Sequence, residues 1–301
     1  RAPRSDDNAR EPPMLRKDLL PWLDRSGRVS ALRAIAFSAA LLPGLWFALG
    51  LLDGRYDAEP YKQLTHLTGT WTLYFLLAGL AVTPLRHLWS WPRLTGIRRM
   101  LGLTAFAYIA AHLLLYVLHE NLDLARVAGE IASRLYLTIG FAALAGLAVL
   151  AATSFDAAIR RLGRTWRRLH RAVYPLVALG LLHYFMQSKL DVSGAVLLSG
   201  LFVALLLHRL HDSLALRLEP VPRILAVALL AGLAAAGIEY AWYAIATGIP
   251  ADRVLQANLG LDGGLRPAWQ VAIGAALPLA VPAGRPVWRW LRPPAAGRQA
   301  A

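Results

Sequence analysis

Residues 107–116 read AYIAAHLLLY and residues 176–186 read LVALGLLHYFM. Each sets one histidine, His112 and His183, inside an apolar run without a charged residue. Similar runs lie on both sides of these two. Stretches free of Asp, Glu, Lys and Arg cover 35–52, 67–85, 100–118, 135–155, 172–188 and 192–207. Two weaker ones follow at 224–246, which Glu239 interrupts, and 268–283, which Pro278 and Pro282 punctuate. A helix needs roughly 17–25 residues to cross a bilayer. Backbone in lipid must satisfy its own hydrogen bonds, so these stretches are predicted to be helices. The period-2 alternation of a membrane barrel is missing.

The bulk composition agrees. Of 301 residues, 57% are hydrophobic, against about 45–50% for soluble chains, and the mean hydropathy is +0.45. The net charge of +14 does not point to nucleic acid, because the basic residues sit between the apolar blocks. Segments 1–33, 86–99, 154–171, 208–223 and 285–301 hold 25 of the 32 Lys and Arg. That bias places both termini in the cytoplasm. The expected architecture is an all-α polytopic membrane bundle in the lipid bilayer. It has a polar cytoplasmic tail (1–33), a six-helix core (34–218), an added transmembrane hairpin (219–284, about eight spans in all) and a basic cytoplasmic tail (285–301). Pro220 and Pro222 mark the join, since neither continues a helix well. No strong internal repeat is visible. The chain has no cysteine, which excludes disulfides, thiolate metal sites, Fe–S clusters and cysteine nucleophiles.

A polar ring inside hydrocarbon marks a functional site by default. His112 lies 12 residues beyond Met100, and His183 lies 13 beyond His170. At 1.5 Å per residue both stand ~18–20 Å from the inner surface. Two imidazoles at one depth can supply both axial ligands of a haem iron. They can equally hydrogen-bond to neighbouring helices, and spacing alone leaves both readings open. His170, at the inner surface, is a candidate for a second haem, without an obvious opposite ligand. The thirteen residues from it to His183 turn an ideal helix roughly 220° beyond whole turns, and Pro175 between them can kink or unwind it. His66 lies at the outer end of its span, near a haem edge, quinone or partner. Arg134 and Lys189 are candidate cations for the propionates of an outer haem, and Arg98 and Arg99 for those of an inner one. Each has the ordinary alternative of a snorkelling or orienting charge.

Several segments together resemble a known family: THLTGTW (65–71), VTPL (82–85), IRRMLGL (97–103), AHLLLY (111–116), SRLYLTIG (133–140) and LGRTWRRLHRAVYPLVALGLLHYF (162–185) followed by SKL (188–190). They look like the haem-binding membrane subunit of the periplasmic protein-methionine-sulfoxide reductase system, the MsrQ family, within the ferric-reductase-like transmembrane superfamily. The resemblance spans about residues 41–210 in order. It implies a six-helix core holding b-type haem (one or two) in the bacterial inner membrane. It also implies a quinone as electron donor, and a periplasmic molybdopterin-containing methionine-sulfoxide reductase as the partner that performs the sulfoxide chemistry. The family is also described with flavin mononucleotide (FMN), for which no motif is seen. By position His112, His170 and His183 fall on its haem-linked histidines, and His66 on another recurrent one.

The N-tail and the region after Glu219 lie outside the resemblance, and Glu239 reads either as a buried hydrogen-bonding or proton-handling carboxylate or as one that faces a helix interface or the outer headgroup region. No GxGxxG-bearing βαβ unit follows the helices, so a self-contained NADPH-driven reductase is not expected. The competing readings are a free-standing haem reductase for ferric chelates or quinones, and a haem-free transporter, which usually shows inverted repeats.

Overall fold

The computed structural model describes residues 20–23, 27–56, 58–214, 218–260 and 264–281. The expected tail at 285–301 and most of the polar N-terminal tail lie outside them. Among the described residues the chain is helical, and its extended pairing is one isolated bridge between Leu23 and Val29. The helices are α1 (Ala31–Leu52), α2 (Pro60–Leu88), α3 (Arg98–His119), α4 (Leu124–Ser133), α5 (Leu135–Ala152), α6 (Asp156–Leu169), α7 (Val173–Ser188), α8 (Ser193–Ser213), α9 (Pro220–Ala246), α10 (Ala251–Leu259) and α11 (Pro267–Ala276).

Proline opens α2, α9 and α11. Its fixed φ suits the first turn, where its missing N–H has no partner to lose. Pro220 therefore starts α9.

Six helical segments among the described residues are long and apolar enough to cross a membrane: Ala31–Leu52, Pro60–Leu88, Pro92–His119, Leu135–Ala152, Ser193–Ser213 and Pro220–Ala246. Two expected spans are not among these six. The 16 residues of α7 follow a 3-10 turn at His170–Ala172, and together they rise ~30 Å, still the thickness of a hydrocarbon core. The 10 residues of α11 and the four of the 3-10 turn Leu277–Ala280 rise only ~23 Å. Pro278, which cannot donate to an α-helical ladder, sits where that helix ends. The chain is thus a multi-pass membrane protein whose last expected span reaches only part of the way.

Two clusters hold the bundle. Leu73, Leu76, Leu77 and Leu80 of α2 form the middle of the first, against Leu101 and Ala105 of α3, Val177 and Leu181 of α7, and Leu198 and Phe202 of α8. In the second, α8, α9 and α11 meet through Ala195, Ala204, Ala228, Ala231, Ala235 and Ala275. Small side chains let membrane helices approach closely, where dispersion rather than water exclusion drives packing. The opposite faces carry exposed leucines in helical register, Leu225, Leu229 and Leu233 on α9 among them, as lipid requires.

Three short helices were not expected. Helix α4 lies between α3 and α5, α10 follows α9, and α6 carries five arginines on the segment 160–168 with no buried residue.

Candidate functional site

The local sequence builds two matching seats. In an α-helix the residue four positions after a carbonyl covers it with its side chain. On α2 the carbonyl of Thr65 is followed by Gly69. On α5 the carbonyl of Tyr136 is followed by Gly140. With no Cβ in the way, an imidazole from the neighbouring helix reaches each carbonyl. His112 Nδ1 of α3 lies 2.7 Å from Thr65 O, and His183 Nδ1 of α7 lies 2.7 Å from Tyr136 O. A Cβ on Gly69 would stand 2.9 Å from His112 Nδ1, and one on Gly140 would stand 2.7 Å from His183 Nδ1.

In both seats carbonyl and histidine are 47 residues apart. The sequence shows no strong repeat, yet the geometry repeats: helix pair α2–α3 does for His112 what α5–α7 does for His183.

A carbonyl oxygen can only accept, so each Nδ1 carries the proton and donates. The lone pair of each ring is then on Nε2, the state in which a neutral imidazole binds a metal. The ring centres are 6.2 Å apart with their planes at 85°. Two imidazoles sharing one metal ion, each nitrogen ~2 Å from it, would have centres roughly 6 Å apart. Around them lies a cavity of about 280 Å³. Its inner wall is apolar, with Leu73, Leu76, Leu144 and Leu147, and its mouth carries Lys62, His66, His119, Glu120, Glu130 and Arg134. The cavity is thus apolar inside and carries charges of both signs at its mouth.

Helix α4 shapes the mouth. Asp123 caps it by accepting from Arg126 N at 2.9 Å, and Val127 is buried beneath it. Glu130 accepts from the Tyr116 hydroxyl of α3 and pairs with Arg134 Nη2 at 3.2 Å. Arg126 bridges Glu120 at 2.9 Å. The Tyr116 hydrogen bond, with Arg134 and Arg126 beside it, holds the Glu130 carboxyl below its ordinary value.

The other candidates divide by place. His66 and Arg134 line the cavity. Lys189 does not line it: it ends α7 with φ 53° and is exposed. Arg98 and Arg99 start α3, at the far end from His119, and Arg99 pairs with Asp156. His170 stands apart from the cavity. Its Nε2 is 3.2 Å from Thr153 Oγ1, and its ring stacks on Trp166 with centres 4.0 Å apart. Pro175 does not unwind a helix between the two histidines, because α7 begins at Val173 and His170 belongs to the turn before it. Sequence reasoning missed Gly69, Gly140, Thr65, Tyr136 and the Tyr116–Glu130 bond. The signal was present in the equal spacing from glycine to histidine, 69 to 112 and 140 to 183.

Glu239 is buried on α9, ion-paired to Arg266 and accepting from Asn258 Nδ2 at 2.8 Å. Trp269 Nε1 donates to Asn258 O at 2.8 Å. The carboxylate therefore fastens α10 and α11 to α9.

Paired histidines between membrane helices define a class, and the ferric reductase like transmembrane component family matches residues 64–181, which include His112 and end two residues before His183. Within that class the chain belongs to the MsrQ family. Curated relatives named protein-methionine-sulfoxide reductase heme-binding subunit MsrQ include one from Rhodospirillum rubrum, 42% identical over 189 residues, covering 62% of this chain and 88% of the relative. Those from Bordetella pertussis, at 43% over 183 residues (60% and 88%), and Azospira oryzae, at 45% over 164 residues (54% and 70%), are similar. No solved structure matches.

Proposed function

We propose that the chain is the electron-transfer subunit of a methionine-sulfoxide reductase system, holding b-type haem between His112 and His183. The observation that carries this is the pair of opposed seats, which leaves two Nε2 lone pairs facing one cavity. When bound, haem supplies a one-electron ferric/ferrous couple whose potential the axial ligands and surrounding dielectric set. The chain's own residues do the rest. The Thr65 and Tyr136 carbonyls fix the tautomer and raise imidazole basicity. The leucine-rich inner wall excludes water, and Arg134 and Lys62 at the mouth, paired here with Glu130 and Glu59, would be the cations available to the haem's carboxylate arms. His66 lines the same cavity at its mouth.

The charge bias puts the basic helix ends and both termini in the cytoplasm of a bacterial inner membrane. The cavity then opens toward the periplasm, where a separate molybdopterin-containing reductase subunit takes the electrons that a membrane quinol supplies. His170, with Arg98 nearby, is the candidate ligand for a second, inner haem once its Nε2 leaves Thr153.

In vesicles containing the purified chain and a quinol, haem absorbance should shift to the ferrous form, and an external acceptor protein should reoxidise it. Haem that stays ferric with quinol yet is reduced by dithionite would remove the quinone from the proposal.

A further inference from the structure

At the basic end of the bundle, opposite the cavity mouth, a second group of polar side chains converges from four helices. Arg209 of α8 lies with its guanidinium carbon 4.9 Å from the centre of the Tyr174 ring, at the start of α7. Its Nη2 is 3.4 Å from Thr83 Oγ1 of α2. The Tyr174 hydroxyl is buried and without a hydrogen-bond partner. Arg98, the first residue of α3, interacts electrostatically with both Arg209 and Tyr174, and with Arg86 of α2. Arg171 adds a weaker electrostatic interaction with the same phenol.

These charges repel one another, and two acids at this end among the described residues are already paired. Asp156 pairs with Arg99, and Asp212 pairs with Arg223. A buried phenol without a partner is costly, and the guanidiniums gathered around it repel one another. One ligand removes both problems: an anion that accepts from the hydroxyl and from the guanidinium forks at once, as phosphate oxygens do.

The place selects which phosphate. Arg98, Tyr174 and Arg209 all lie within about a turn of the basic ends of their helices. That is headgroup depth, and Leu206 and Leu210 beside Arg209 are exposed, so acyl chains have an apolar surface to follow. Basic pockets between transmembrane helices are favourable seats for acidic lipid headgroups. We infer that Arg98, Arg209 and the Tyr174 hydroxyl form a binding site for the phosphate of one anionic phospholipid, wedged between α3, α7 and α8. The inference stands apart from the cavity at His112 and His183 and needs no cofactor there.

The generic alternative is diffuse attraction of acidic lipid to a basic membrane face. The two differ in what the neutral hydroxyl does. The full-length chain, purified in detergent, is loaded with phosphatidylglycerol or phosphatidylcholine, and bound lipid is counted by native mass spectrometry. Wild type should retain one phosphatidylglycerol and no phosphatidylcholine. Arg209→Gln should lose it. Tyr174→Phe, which keeps every charge and the ring, should weaken retention about ten-fold, the worth of one hydrogen bond to a charged group. The double variant R160Q/R164Q, which removes two charges from α6, should retain lipid like wild type. Unchanged helical circular dichroism and monodisperse elution show that each variant is folded. Equal retention by wild type and Tyr174→Phe, or equal loss in the α6 double variant, would overturn the site. Full displacement of the lipid by millimolar inorganic phosphate would overturn the lipid assignment.

Discussion

At the scale of single residues, the central arrangement depends on what is absent from two side chains. Gly69 and Gly140 open the carbonyls of Thr65 and Tyr136, and the two imidazoles take them. A methyl at Gly140 would meet His183 Cε1 at 2.9 Å and Cγ at 3.1 Å, while one at Gly69 would meet His112 Cε1 at 3.0 Å and Cγ only at 3.9 Å. Gly140→Ala should therefore disturb the site more than Gly69→Ala, with an overpacking cost of about 1–3 kcal/mol. The expected readout is a shift of bound haem from low-spin toward high-spin in the electron paramagnetic resonance spectrum. Gly102→Ala, on the same helix as His112 and with nothing within 4 Å, should leave the spectrum unchanged. Equal effects from all three would separate the glycines from the histidines. The histidines themselves were legible in sequence because a lone ring in a charge-free span is conspicuous. The glycines were not, because the contact they permit lies 43 residues away across a helix interface, and glycine is common in membrane helices for other reasons.

At the scale of elements, the long helices follow from apolar length, and the short ones do not. Helix α4 is held by a network rather than by burial: Glu130 joins Tyr116, Arg126 and Arg134. The Glu130 carboxyl is held below its ordinary value, so its contribution is present above the unfolded carboxyl range. It is lost as pH falls through the lowered folded value. Wild type should melt above Glu130→Gln near neutral pH, and the two should converge as pH falls through the lowered carboxyl value of the folded state. A constant difference across that range, read by thermal unfolding in detergent, would show that the ionised carboxylate does not hold α4. At the other side of the bundle Glu239 ties α9 to α10 and α11. Glu239→Ala strands Arg266 beside a buried gap, and the expected loss is about 3 kcal/mol. Faster proteolysis between residues 247 and 266 should accompany it. The sequence marked Glu239 as unusual but left its role open, because Asn258 and Arg266 lie in segments without apolar periodicity.

At the scale of the whole molecule, the number of spans was nearly readable and the end of the last one was not. Counting apolar residues gave 268–283, whereas the helix turns to 3-10 geometry at Leu277 and Pro278. The likeness of the two seats was hidden as well, since its mark in the sequence is one glycine-to-histidine spacing used twice rather than a repeated segment. Orientation rests on the Lys and Arg bias, and the absence of native cysteine makes it easy to test. Single cysteines at position 164 on α6 and position 121 after α3 should label from opposite sides of the membrane, the first from the cytoplasm. Labelling of both from one side would contradict the proposed topology. The most direct test of the central claim is the absorption spectrum of protein purified after haem-replete expression, compared with His112→Ala and His183→Ala. The account predicts a low-spin bis-imidazole spectrum in wild type that is lost in both variants. Haem-free wild-type protein, or an identical spectrum in both variants, would contradict it.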